Sequence, residues 1–236
     1  MTRVLYDLCG IDESLRFSPY CWRVKFALAH KGLDYETRAW CFTDKQDIEF
    51  SGQGTVPILV DGDEVVGDSY EIMRYLDRAY PDKPLLGGPD AEARARFLKF
   101  YAERSLAPGM MRTIVMDLHN AVAPKDRDYF RESREARFKR TLEEFHSPAK
   151  GLTQLDQALE PLRGRLSESD FIDGDSPAAA DYLVFGFFMW ARTVSTADLV
   201  SNADPVYAWM ERMLDQYDGL GRNAMRIVDI DHAYGT

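Results

Sequence analysis

Cysteine, histidine, positive charge and long apolar runs are all scarce in this chain of 236 residues, and each scarcity narrows what it can be. Three cysteines, Cys9, Cys21 and Cys41, cannot form a fully paired disulfide framework, so thiols in a reducing compartment are expected. Four histidines, His30, His119, His146 and His232, stand at no metal-ligand spacing from one another or from the cysteines, and no metal site is expected. Lys and Arg number 29 against 39 Asp and Glu; a formal net charge of -10 leaves no general field for phosphate backbones or anionic lipid, which argues against nucleic acid and membrane partners. No segment approaches the roughly 20 apolar residues that span a bilayer, and the opening MTRVLYDLCG holds no run of signal-peptide length. A cytoplasmic location is the expectation. Glycine-rich phosphate loops and internal repeats are also missing.

What remains is an ordinary globular composition, 45% hydrophobic and 29% charged, with two differently patterned halves. RVLYDL reads as a short strand, and a helix follows from Ser18 to Lys31 with Gly32 as its C-terminal stop. DYETRAW alternates like a strand, VPILVDGDEVV reads as a hairpin turning at Asp61-Gly62, and DSYEIMRYLDRAY is a helix with Asp68 and Glu71 spaced as a capping box. The proline- and glycine-rich PDKPLLGGPD then marks a linker, placed at residues 84–90. Beyond it every periodic segment is helical. A kink is expected at Pro108-Gly109, RESREARFKR is read as an exposed charged face whose arginines could serve dimer contacts, and AAADYLVFGFFMWARTV is apolar nearly all round and should be buried. The order predicts an α/β domain over residues 1–83 and an all-α domain over residues 91–236.

The stretch Ser18-Pro19-Tyr20-Cys21 carries the chemistry. Serine is a favoured N-cap and proline a favoured first helical residue, so capping alone explains the pair. After a strand and a loop, however, S-P-Y-C resembles the C-P-Y-C of glutaredoxins with its first cysteine replaced by serine. Val56-Pro57 at a strand start and Asp68-Ser69 at a helix start are the second and third signals. In this order, ahead of an all-helical domain, they resemble the glutathione transferase family along essentially the whole chain. The long loop before S-P-Y, DYFRESRE and YDGLGR are most similar to the etherase-like group, which includes bacterial lignin β-aryl etherases and their fungal counterparts.

That resemblance implies a thioredoxin-like N-terminal domain, an all-α C-terminal domain and a homodimer. It implies glutathione as cofactor, with Ser18 as catalytic hydrogen-bond donor to its thiolate, Val56 and Pro57 beside the cysteinyl unit, and Asp68 and Ser69 at the γ-glutamyl end. The second substrate would be an aromatic electrophile, such as a β-aryl ether, walled by Tyr20, Met110, Met111 and Ile114, with Trp190 a weaker candidate. Arg23 is read as lying on a solvated helix face. Two other readings stand beside this one: a glutathione-dependent carrier of aromatic ligands without turnover, and a thiol oxidoreductase using Cys21. The chain also departs from the family pattern. Ala178 occupies the cap position three residues before Asp181, leaving Ser176 or the Asp181 carboxylate to compensate, and Thr55 stands where many relatives carry a basic residue.

Overall fold

The computed structural model describes residues 3–234. Strand β1 (Arg3–Leu8) leads through a loop to helix α1 (Pro19–Lys31), and β2 (Tyr35–Trp40) returns parallel to β1. A 3-10 segment, Lys45–Ser51, precedes the hairpin of β3 (Ile58–Asp61) and β4 (Glu64–Gly67). The sheet order is β2-β1-β3-β4, with β3 antiparallel to both its neighbours. Asp61 pairs with Glu64, so the loop residues are Gly62 and Asp63, one position later than expected. Gly62 takes φ 64°, where glycine is favoured in tight hairpin turns. Helix α2 (Ser69–Ala79) follows and packs on β3, β4 and α1.

The helical half comprises α3 (Pro89–Tyr101), α4 (Ala107–Ala121), α5 (Arg127–Phe138), the single turn α6 (Leu142–Phe145), α7 (Pro148–Leu166), α8 (Ala179–Val194) and α9 (Pro205–Leu214), followed by shorter helical pieces up to Tyr234. Two boundaries differ from the sequence expectation. The disturbance caused by Pro108 lies upstream of it, as a π-helical stretch at Ala102–Leu106; proline lacks an N–H and clashes with the carbonyl four residues back, so the preceding turn widens. The segment RDYFRESREARFKRTLEEF, one charged helix by its apolar stripe, breaks at Lys139, which adopts φ 54°, and Thr141 with Glu144 then caps α6 through a reciprocal capping box.

Helix α8 is the buried axis of the molecule: every residue in it except Arg192 is buried. Phe185 and Phe188 meet Trp209 of α9 edge-on at 5.5 and 5.6 Å, while Tyr182 stacks on Phe26 of α1 at 5.8 Å. Burying one such aromatic contributes about 1.5 to 3 kcal/mol, so this apolar seam is a main tie between the two halves. Its closeness depends on Gly186. A Cβ there would stand 2.3 Å from the Pro19 carbonyl oxygen, and only glycine lets α8 lie against the first turn of α1.

Below the seam, Asp181 does what Ala178 cannot. Its carboxylate accepts the N–H groups of Ile172 at 2.8 Å, Asp173 at 3.1 Å and Ala178 at 3.3 Å, together with Trp209 Nε1 at 2.8 Å. The start of α8 is thus held by a buried carboxylate, the second of the two compensations expected. Among the described residues no helix is long and apolar enough to cross a membrane, and no cluster of His, Cys, Asp and Glu could hold a metal ion. The side chain of His232 lies outside the described residues. All three cysteines are free thiols.

Candidate active site

Strand register assembles the first corner of the site. Tyr6 pairs with Ile58, so Val56 and Pro57 lie at the C-terminal end of β1, the side on which α1 begins. Ile58 also pairs with Gly67, which brings Asp68 and Ser69 alongside Pro57. Three segments far apart in sequence therefore meet at one edge of the sheet. The Val56-Pro57 bond is cis.

Ser18 is the N-cap of α1, with Pro19 in the first turn, and its Oγ accepts the Cys21 N–H at 3.2 Å. The side chain is buried yet lines a cavity of about 490 Å³ between the sheet and the helical bundle. Asp68 caps α2 with one carboxylate oxygen, Oδ1, which accepts from Tyr70 N–H at 2.8 Å and Glu71 N–H at 3.2 Å. Ser69 is buried beside it, and its Oγ has no hydrogen-bond partner among the described residues. A buried hydroxyl left unpaired costs about 1 to 3 kcal/mol, so the position suits a ligand that supplies the missing partner. Both residues line a second, polar cavity of about 300 Å³ with Gln53, Pro57 and Lys99. Tyr20, Thr55, Val56 and Glu103 line both cavities, which are therefore contiguous.

The larger cavity is aromatic. Phe17, Trp40, Phe42, Phe130, Phe187 and Trp190 contribute to its wall, and Tyr20 meets Phe187 edge-on at 5.9 Å across the domain seam. From α4 the lining residues are Ala107, Pro108, Met111 and Leu118, which share one helical face. Met110 and Ile114, expected with Met111 on the substrate wall, lie on another face and are fully buried in the core; of the three, Met111 lines the cavity. Trp190, the weaker candidate, does line the cavity.

Arg23 also departs from expectation. It is 0% exposed, because α8 covers the face of α1 that the sequence pattern left open. Its Nη1 pairs with Glu103 at 3.0 Å, its Nε donates to the Leu183 carbonyl at 3.1 Å, and its guanidinium lies over the rings of Tyr20 and Phe187 at 4.8 and 5.1 Å. Lys99 approaches the same carboxylate at 3.2 Å, so Glu103, although it faces both cavities, is already balanced by two cations. Cys21 is buried, and burial together with the nearby Asp7 charge pushes its thiol well above the usual range. It is a poor thiolate at neutral pH.

Family models match both halves of the chain: the glutathione S-transferase N-terminal domain over residues 14–84 and the glutathione S-transferase C-terminal domain over residues 93–217. The chain belongs to the glutathione S-transferase family. It is 51% identical over 86 residues to glutathione S-transferase Z1 of Arabidopsis thaliana, covering 32% of this chain and 38% of that protein. Against glutathione S-transferase omega-1 of Mus musculus it is 26% identical over 203 residues, 85% of this chain and 74% of the relative. The first curated relatives are matched over only 31% to 43% of their lengths. Among solved structures, glutathione transferase GSTFuA2 of Phanerochaete chrysosporium superposes with a TM-score of 0.74 at 25% identity, covering 93% of each chain. A glutathione S-transferase of Ceriporiopsis subvermispora in complex with glutathione has the same fold, with a TM-score of 0.75 at 20% identity over 100% of this chain and 98% of its own.

The contribution of α5 is not what the sequence leads one to expect. RESREARFKR was read as a solvated run, yet Arg134, Arg137 and Phe138 line the large cavity with Phe130. The signal was present: residues 130, 134, 137 and 138 stand at helical spacing, so they share a face with aromatics at both ends.

Proposed function

We propose that the protein binds glutathione in the polar cavity and transfers its thiolate sulfur to an aromatic electrophile held in the adjoining aromatic cavity. The observation that carries this reading is the position of Ser18 on the large cavity, where it adjoins the polar cavity lined by Asp68 and the unpartnered Ser69 hydroxyl. Asp68 and Ser69 would hold the γ-glutamyl end: the Asp68 Oδ2 oxygen, not used in capping, would accept the ammonium group, and the Ser69 hydroxyl and the start of α2 would donate to the carboxylate. The Val56 backbone, beside Pro57, would pair with the cysteinyl unit.

Because Ser18 Oγ spends a lone pair on the Cys21 N–H, its own hydrogen is available to be donated to the sulfur. A hydrogen bond to a charged acceptor contributes about 1.5 to 3 kcal/mol. The N-terminus of α1 adds about 0.3 to 1 kcal/mol. Together they lower a thiol pKa of ~8.5 by roughly one to three units, enough to supply thiolate near neutral pH without a general base. The nucleophile is then the sulfur of glutathione, and Ser18 forms no covalent bond.

The aromatic wall supports an aryl substrate, and β-aryl ether cleavage with loss of an aryl-oxide is the specific reaction proposed. The same reading takes the protein as a cytoplasmic homodimer. Cys21 offers no comparable support for redox chemistry, since it is buried and its thiol is held protonated. The deciding experiment follows the thiolate absorbance of bound glutathione against pH, for wild type and Ser18→Ala. A depressed pKa that returns toward the free value in the variant supports the transferase. Binding with no depression favours a carrier of aromatic ligands, and no binding overturns the reading. Intact β-aryl ethers in the presence of conjugated aryl halides would remove the etherase part alone.

A further inference from the structure

Helix α5 places two arginines on the wall of the aromatic cavity, Arg134 partly buried and Arg137 exposed. Arg134 and Arg137 both line it, and their neighbours on the same face are Phe130 and Phe138. The Arg134 guanidinium lies over the rings of Phe130 at 4.6 Å and Phe42 at 5.2 Å, and Nη1 donates to Ser133 Oγ at 2.9 Å. Neither Arg134 nor Arg137 has an acidic partner among the described residues. The contrast within the helix is sharp: Arg131, one turn earlier, takes Glu135 and Glu143, both at 2.9 Å. Carboxylates are therefore available to α5, and they serve an arginine that does not line the cavity.

The surroundings do not neutralise this pair. Glu103 is the acidic residue on the cavity wall, and Arg23 and Lys99 already balance it. Burial weakens the hold of Arg134 on its proton and the adjacent charge of Arg137 weakens it further, which expresses the same imbalance. In a chain with net charge -10, a partly buried arginine without an acidic partner on the wall of an aromatic cavity is a feature that the overall charge would not place there. A guanidinium packed against two rings has less freedom than one in solvent, and its planar fork can pair with a carboxylate through two parallel hydrogen bonds.

We infer that Arg134, assisted by Arg137, is an anion subsite that selects aromatic electrophiles bearing a carboxylate on the ring. The inference rests on the transferase reading above for the identity of the cavity. The arginines act on the substituent and take no part in the displacement, in which the glutathione thiolate forms the C–S bond as the leaving group departs with its electron pair. They are specificity residues. The carboxylate would occupy the polar spot while the ring stacks among Phe42, Phe130 and Trp190.

The test compares dinitrobenzoate with dinitrobenzamide, which match in shape and differ in charge, by calorimetric titration into the full chain with and without glutathione. Wild type is expected to bind the carboxylate about tenfold more tightly, the size of one charge-assisted hydrogen bond relative to a neutral contact. In Arg134→Met the ratio should fall toward unity, Arg137→Met should lower it in part, and Arg134→Lys should restore some of it without the planar fork. Equal affinities in wild type, or an unchanged ratio in both methionine variants, would overturn the inference. So would a loss in Arg134→Met confined to the affinity for glutathione itself, because that would assign the arginine to the glycyl carboxylate. Turnover of chlorodinitrobenzoate and its amide separates the two levels of argument. Conjugation of both with no preference leaves the transferase and removes the subsite, whereas carboxylate-selective binding without conjugation leaves the subsite and removes the transferase.

Discussion

The Ser18 Oγ accepts the Cys21 backbone N–H at 3.2 Å while the same side chain borders the large cavity, so one hydroxyl serves the helix and the proposed chemistry together. The two roles separate by substitution. Ser18→Ala removes the cap and should cost about 0.5 to 2 kcal/mol of stability, whereas Ser18→Gly should cost only a few tenths, because glycine is itself tolerated as an N-cap. Both lose the donor to the thiolate. The bound thiol should therefore rise by roughly one to two pKa units in each, and kcat/KM at neutral pH should fall by about ten- to a hundredfold in each. Urea denaturation beside pH-dependent thiolate absorbance checks this. An activity loss that follows the stability loss, large in alanine and slight in glycine, would mean that Ser18 is only a cap.

Gly186 offers a test of how the two halves are joined. In an open helix, glycine to alanine stabilises by about 1 kcal/mol. Here the new Cβ would lie 2.3 Å from the Pro19 carbonyl and 3.1 Å from Arg23 Cγ, so α8 must move away from the first turn of α1. Overpacking of this kind costs about 1 to 3 kcal/mol, and a net destabilisation is expected. The displaced surface carries Ser18, Tyr20 and Phe187, so glutathione affinity should fall as well. A variant that is more stable than wild type in urea would show that the helices are not held at this separation.

Local signals are legible in the sequence, and signals that depend on a partner element are not. Ser18, Pro19, Gly32 and Asp68 are caps whose chemistry is confined to a few residues, and each appears at its expected boundary. Helix α8 was legible because a helix apolar on every side has nowhere to go but the interior. Arg23 shows the opposite case: its burial depends on Gly186 and Glu103, which lie on segments far along the chain. Met110 and Ile114 are buried in the core while Met111 lines the cavity, and a methionine or isoleucine at helical spacing does not by itself say which of the two faces it serves. On α5 the charges of RESREARFKR conceal an aromatic face, since Arg134 and Arg137 share the cavity wall with Phe130 and Phe138 while Arg131 is taken up by ion pairs with Glu135 and Glu143.

Asp181 predicts a dependence of stability on pH. Burial pushes its carboxyl up to about 6, and the hydrogen bonds from Trp209 and from the Ile172 and Asp173 backbone oppose that rise without cancelling it. An aspartate in the unfolded chain titrates near ~3.9. Between these values the folded protein keeps a proton that the unfolded chain has released, so folded molecules bind more protons and stability falls as pH rises. The contribution of Asp181 is thus present in full below about pH 4 and is lost as pH climbs through about 6, a change of about 3 kcal/mol for two pKa units. Urea unfolding of wild type and Asp181→Asn across that range isolates it, because the neutral amide removes this titration from the profile. The difference in stability, wild type minus variant, should decline from acid toward neutral pH. If the asparagine variant does not fold, the carboxyl stretch of wild type followed by infrared spectroscopy should titrate near pH 6. A difference that instead rises with pH would mean that the N–H donors around the carboxylate outweigh its burial, and that α8 is capped by a charge the protein stabilises.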